Sequence, residues 1–197
     1  MLKKIKGIQV HTALAYFVLL PTLFFVTMQE STKEYKICWD FIDMDTIGRH
    51  WNDRQQEIDR LTPVIQKTHK HTDPKYLVEL IPIVVDWSWN RNIDVLWVSA
   101  IISVETNWIR QERYGMGGGG PMQVNHTCHA ERFGVKDISE WWKNLNLNLE
   151  AGTWVLQQCH GSAACYNGHP DLELRAEYVT NVNKRFKRIS RAWKENP

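Results

Sequence analysis

Apolar residues recur at intervals of three and four along much of this chain, while sustained strict alternation is not seen, so helices are the predicted elements. The chain opens with an apolar run from about Gly7 to Met28, whose uninterrupted centre is Ala13 to Leu20 before Pro21. From Glu30 to Pro63 it is polar and mixed, with Trp39, Phe41, Ile42, Ile47 and Trp51 scattered, and reads as a stalk or irregular helical segment. Asp73-Pro74 then starts a helix, proline being tolerated in a first turn, and Tyr76, Leu77, Leu80, Ile81 and Val84 mark its apolar face. Trp89 to Asn92 has loop chemistry. Asp94 is a candidate N-cap for a helix carrying Leu96, Trp97, Ala100, Ile101 and Val104. Glycines dominate Tyr114 to Gly120, so regular structure is expected to stop there. Asn144 to Gln158 reads as a helix, and so does Leu172 to Trp193, where Tyr178, Val182, Phe186, Ile189 and Trp193 share one face.

The 197 residues are enough for one compact domain and an appendage. The expected organisation is an N-terminal signal-anchor over 1–29, a stalk or helical extension over 30–72, and a helical domain over 73–197. The fold class is thus mostly α, with a membrane-spanning helix ahead of the domain. Lys3, Lys4 and Lys6 before the apolar run place the N-terminus in the cytoplasm by the positive-inside rule. A cleaved signal peptide is the alternative, but the exit Thr27-Met28-Gln29 is bulky where a cleavage site wants small residues. An ordinary buried helix is the third reading, because His11 and Pro21 leave a span of marginal length. Either of the first two exports the rest, giving a single-pass protein of the cytoplasmic (inner) membrane with its domain in the periplasm.

Export changes how Cys38, Cys128, Cys159 and Cys165 are read, since disulfides persist in an oxidising compartment. Three full pairings are open, and the short loop from Cys159 to Cys165 is favoured. His126, His129, His160 and His169 lie nearby, but the cysteine spacing is not that of a structural zinc site, and neither metal nor cofactor is expected. A net charge of +2 is too small to argue for nucleic acid. The last helix also bears Lys184, Arg185, Lys187, Arg188, Arg191 and Lys194, which reads as a solvated face or as a contact for acidic wall polymer or lipid headgroups.

Candidate chemistry centres on Glu105, at the end of the apolar helix in Ala100-Ile101-Ile102-Ser103-Val104-Glu105-Thr106-Asn107-Trp108. Partial desolvation among Val104, Trp108 and their neighbours raises a carboxyl's pKa, which suits a general acid near neutral pH. The rival is a glutamate that merely decorates a helix end. Gly117 to Gly120 with Pro121-Met122-Gln123-Val124-Asn125 would bring backbone close to a ligand, with Gln123 offering a donor and an acceptor. Cys165-Tyr166-Asn167-Gly168 adds a tyrosine and an amide before a glycine turn.

Together and in this order, these segments resemble the lytic transglycosylase domain of the soluble lytic transglycosylase type, related in fold to goose-type lysozyme. Glu105-Thr106 stands where that family has Glu-Ser, and Gly120-Pro121-Met122-Gln123-Val124 where it has Gly-Leu-Met-Gln-Ile/Val. Asn148-Leu149-Glu150-Ala151-Gly152 matches an Asn-apolar-x-x-Gly helix. Cys165-Tyr166-Asn167-Gly168 matches Ala-Tyr-Asn-x-Gly with the glycine one residue early, and Tyr178-Val179-Thr180-Asn181-Val182 matches Tyr-Val-x-x-Val. The resemblance spans roughly Ile93 to Ile189.

The resemblance implies a lysozyme-like helical domain acting on peptidoglycan glycan strands. Glu105 would protonate the glycosidic oxygen between N-acetylmuramic acid and N-acetylglucosamine. As a carboxylate it would then take the proton of the muramic acid C6 hydroxyl, which closes a 1,6-anhydro ring. It also implies that Thr106 and Gln123 border the site, that Met122 lines it, that Tyr166 orients the acid or the substrate's acetamido group, and that Asn167 holds the turn. One carboxyl then suffices where most glycosidases use two. The alternatives are hydrolysis on the same fold, with Glu112 or Glu131 as a base, and a catalytically silent wall-binding protein. An envelope-spanning machine or a phage assembly is a conceivable partner.

Overall fold

The computed structural model describes residues 44–111 and 117–196. The expected membrane span, the first part of the expected stalk, Cys38, Glu112 and Tyr114 to Met116 all lie outside the described residues. Among those described, no helix is long and apolar enough to cross a membrane.

Helix dominates. The long helices are α1 (Met44–Thr68), α2 (Pro74–Arg91), α3 (Val95–Glu105), α6 (Leu145–Gln158) and α8 (Leu172–Lys194). Short turns of helix, α4 (His126–His129), α5 (Glu140–Lys143) and α7 (Ala163–Asn167), connect them. The helix starts follow from capping chemistry. Asp73 accepts from the Lys75 amide at 3.0 Å, Asp94 from Leu96 at 2.7 Å and Asp171 from Glu173 at 2.8 Å. The sequence predicts a break at Trp89, but α2 continues through Arg91. The Trp89 indole donates to Glu57 of α1, and Asn92 supplies the left-handed residue that ends the helix at φ 54°.

α3 is apolar on nearly every side, and such a helix belongs in the middle of a fold. Val98, Ala100, Ile101 and Ile102 are fully buried, and α3 packs along α8 and against α2. α2 in turn lies against α6, and α7 against α8. Each buried aliphatic side chain contributes about 1.5–3 kcal/mol relative to exposure, so this centre anchors whatever is attached to its end.

Of the two readings for the segment before residue 73, a stalk or a helical extension, its described part is helix. From residue 44 to 68 it is one run of helix, and its Leu61, Val64 and Ile65 sit in the same core, against α2 and α8. Their spacing of three and one places them on a single face, diluted by the charged residues between them. Polar contacts reinforce the packing. Arg54 makes a two-pronged ion pair with Asp86 of α2 at 2.5 and 2.7 Å, and Arg60 donates to the Trp193 and Asn196 carbonyls at the end of α8. The helical domain therefore begins at least as early as α1.

The glycine tract is not structureless. Gly118–Gly119 forms β1 and pairs antiparallel with β2, Val124–Asn125, as a two-residue ladder too short to leave an alternating pattern. Residues 120–123 make the turn. Gly120 O accepts from Gln123 N at 3.0 Å, with Pro121 in the second position, where its fixed φ suits a turn.

Candidate active site

The carboxyl of interest stands where the core helix stops. Thr106 N still bonds to Ile102 O at 2.9 Å, and then Asn107 and Trp108 both take left-handed conformations, at φ 54° and 60°. Two such non-glycine residues in succession are costly, and they persist because the surroundings hold them. Trp108 is fully buried, and its indole donates to Ser103 Oγ at 3.0 Å. The chain thus turns sharply under Glu105 and leaves it at the end of α3, facing a cleft of about 300 Å³.

Glu105, Gln123, Tyr166 and Asn167 line that cleft together with Gly118, Val124, Asn125, His129 and Val155. Four of the six residues predicted for the site therefore meet in one place. Burial pushes the Glu105 carboxyl up to about 7, opposed by a hydrogen bond from Tyr178, whose hydroxyl donates to Oε1 at 2.5 Å. Burial and the neighbouring carboxylate raise both Tyr178 and Tyr166 well above the ordinary phenol range, so both remain neutral donors.

Thr106 and Met122 do not line the cleft. Thr106 is buried, and its hydroxyl lies 3.3 Å from Pro121 O and 3.2 Å from Ile102 O, which ties the end of the acid's helix to the glycine turn. Met122 is fully buried because its side chain fills the space over Gly152, where an added Cβ would come within 2.5 Å of the Met122 sulfur. The hydrogen bond to the acid comes from a tyrosine to which the resemblance gave no role. Tyr166 donates to Met122 O at 2.7 Å and so pins the turn, while Tyr178 is the phenol that orients the acid. Gln123 sits at φ 48° and spends its amide on Gly120 O at 2.9 Å and Gln111 Oε1 at 3.2 Å. Asn167 accepts from His169 N at 3.3 Å, at the turn after α7.

Sequence reasoning gave no role to Asn148, although it quoted the segment. This fully buried amide accepts from Met122 N at 2.9 Å and donates to Gly119 O at 2.8 Å, clamping both sides of the turn. Gly120 is needed for that approach: at φ 70°, a Cβ there would lie 2.3 Å from Trp141 O and 2.4 Å from the Asn148 amide nitrogen. The close approach that the glycines permit is thus to Asn148 and Trp141, and it shapes the wall of the cleft. An asparagine in the first turn of a helix, beside apolar residues, was the available signal, since a buried amide must be satisfied.

His129 was also missed as a lining residue. Burial and then Arg132 lower its pKa, and its ring packs edge-on against Trp154 at 6.1 Å, so it faces the cleft as a neutral imidazole. Glu131 is exposed and does not line the cleft. Among the described residues that do, Glu105 supplies the one carboxyl.

A disulfide between Cys159 and Cys165 joins the end of α6 to α7 and so fixes the residue next to Tyr166, as the short-loop pairing anticipated. The Trp97 indole holds the same loop to α3 by donating to Gly161 O at 2.9 Å. Cys128 is free and exposed. Among the described residues, no group of three His, Cys, Asp or Glu side chains is placed to hold a metal ion. In comparisons with known proteins, the chain matches no family model, no curated protein and no solved structure.

Proposed function

We propose that this chain is a peptidoglycan lytic transglycosylase with a lysozyme-like domain and Glu105 as its acid and then its base. The observation that carries the reading is a single carboxyl raised to about 7, placed at a cleft and oriented by Tyr178. Near neutral pH such a group holds a transferable proton in a large fraction of molecules, as a general acid must.

In the proposed reaction the Glu105 proton passes to the glycosidic oxygen as the C1–O bond to N-acetylglucosamine breaks. Positive charge developing on the muramic acid ring is met by the new carboxylate. That carboxylate then takes the C6 hydroxyl proton while O6 bonds to C1, giving the 1,6-anhydro end and restoring the acid. The nucleophile belongs to the substrate, and its high effective concentration removes the need for a second carboxylate. The carbonyl oxygen of Gln123, the amide of Asn167 and the polar edge of Asn125 offer hydrogen bonds to acetamido and hydroxyl groups.

Export fits the same reading. The Cys159–Cys165 disulfide suits an oxidising compartment. We therefore place the domain in the periplasm, on a tether formed by the apolar segment of residues 1–29. Hydrolysis is the second reading, because neutral His129 at the cleft could hold a water for attack. Digestion of purified peptidoglycan, with the products resolved by mass, separates them. Anhydro-muropeptides support transglycosylation, reducing muramic ends support hydrolysis, and no product would overturn the enzyme reading.

A further inference from the structure

Away from the cleft, the C-terminal ends of α1 and α8 border a cavity of about 540 Å³. Lys67, Lys70, Arg185, Arg188 and Arg191 all line it. Among the described residues, Glu195 is the one carboxylate in that lining, and Lys67 engages it at 2.7 Å. Four cations are left over in one concavity. A second depression of about 380 Å³ shares Arg185 and Arg188 and adds Lys184, extending the positive surface along α8.

Complementing helix dipoles does not account for this. Cations at a helix C-terminus are favourable only within the last turn. Lys67 and Arg191 satisfy that condition, whereas Arg185 and Arg188 lie two turns or so from the end of α8. The partial burial of Arg188 and then the charge of Arg185 push the Arg188 pKa down. Such an arrangement is unfavourable in isolation and is relieved by an anion.

The cavity is also built rather than merely charged. His69 is 4% exposed, packs beside Trp108 and lies in the cavity lining. The Thr68 hydroxyl donates to Val64 O at 2.8 Å, so its oxygen accepts from His69 Nδ1 at 2.9 Å. His69 Nε2 is then the acceptor for Arg188 Nη2 at 3.0 Å. Burial and the two nearby arginines hold this imidazole neutral, with a pKa of about 4. A neutral acceptor orients the Arg188 guanidinium without cancelling its charge, as a carboxylate would.

We propose that this cavity binds a phosphate-bearing anion through Arg185, Arg188, Arg191 and Lys70, with His69 setting the orientation of Arg188. Several guanidinium groups around one concavity call for a ligand with several acceptor oxygens and more than one charge, which a phosphate provides and a monocarboxylate does not. The source is a soluble phosphate ester or the phosphate of a lipid headgroup. The site is independent of the cleft and of the reaction assigned to it.

Titration calorimetry of the full chain at low ionic strength, with pyrophosphate and then inorganic phosphate, tests the site. The wild type should bind pyrophosphate. Arg188→Gln and Arg185→Gln should each weaken binding about tenfold or more, while Lys187→Gln, on the exposed face of α8, should not. His69→Phe keeps a ring beside Trp108 and removes the acceptor, and should weaken binding with all the arginines present. Glu105→Gln should bind as the wild type does, which separates failure here from failure of the cleavage reading. Sedimentation with vesicles containing phosphatidylglycerol, against pure phosphatidylcholine, identifies the source. A preference for anionic vesicles that Arg188→Gln abolishes assigns a headgroup, and pyrophosphate binding without that preference assigns a soluble ester. Absence of binding to every probe, or equal losses in Lys187→Gln and Arg188→Gln, would overturn the site.

Discussion

Tyr178 and Glu105 come from helices far apart in sequence, yet the tyrosine hydroxyl donates to the carboxyl Oε1 across 2.5 Å. The bond favours the ionised form and opposes the burial that favours the neutral one. The balance leaves the carboxyl near 7, within reach of both protonation states that an acid and base must visit. Removing the hydroxyl in Tyr178→Phe should therefore raise the Glu105 pKa further. At a net value of about 0.5–1.5 kcal/mol for one hydrogen bond, the shift is roughly half a unit to one unit. The high-pH limb of the kcat/KM profile should move upward by that amount, with a lower maximum because the carboxyl is less well oriented. A profile unchanged in position would detach Tyr178 from the acid.

Glu105→Gln keeps the size of the side chain and its acceptor for Tyr178, and it removes the proton. Cleavage should fall by at least about 10²–10⁴-fold while the protein stays folded. A well-folded variant retaining more than about a tenth of the activity would sink the assignment, given that expected loss.

The same substitution has a second signature, in stability. A carboxyl raised from 4.5 to about 7 binds a proton in the folded state that the unfolded state has already released. Wild-type stability from this group is thus full below pH 4.5 and is lost as pH rises through 7. Glutamine carries no such penalty. Glu105→Gln should therefore gain on the wild type by about 2–3 kcal/mol between acid and pH 8. Urea unfolding of the two proteins at pH 4.5 and pH 8 checks this. A difference independent of pH would mean that Glu105 is not desolvated.

Much of this arrangement was legible in the residues. Asp73 and Asp94 announced their helices because capping is local chemistry, and the apolar run ending at Glu105 announced a carboxyl at the edge of a core. The expected membrane span and residues 112–116, ahead of the described glycines, fall outside the described residues. What stayed hidden depends on tertiary contact. α1 reads as a stalk or a helical extension because Leu61, Val64 and Ile65 are diluted by charge, and only α2 and α8 show what they pack against. Tyr178 reads as a member of an apolar stripe and of the Tyr-Val-x-x-Val match, since sequence does not reveal that its hydroxyl meets Glu105. Met122 and Thr106 sit within the motif that forms the site, yet motif membership does not distinguish a lining side chain from one that supports the wall.

Asn148 offers the sharpest test of that supporting structure. Asn148→Leu would leave Met122 N and Gly119 O buried without partners, at roughly 1–3 kcal/mol for each group. Thermal unfolding should drop accordingly. Activity should fall more than stability explains, since Gln123 and Gly118 hang from the same turn. Assays well below the melting temperature separate the two effects. Full activity in a merely less stable protein would show that the turn does not shape the cleft.

The Cys159–Cys165 bridge closes a small loop, but it sits where a small loop matters. Chain-entropy arguments give about 2 kcal/mol for a ring of this length. Replacing both cysteines by serine should lower stability by about that amount, and pairing the two changes avoids leaving a thiol that could exchange with exposed Cys128. Tyr166 follows Cys165 directly, and its hydrogen bond to Met122 O fixes the turn beside the acid. The loosened loop should therefore also reduce kcat several-fold, with Trp97 still holding Gly161 and limiting the damage. Alkylation of the native protein without reductant, followed by intact-mass measurement and peptide mapping, should label Cys128 and spare Cys159 and Cys165. If all four cysteines were labelled, the bridge would be refuted, and with it the disulfide support for placing this domain in an oxidising compartment.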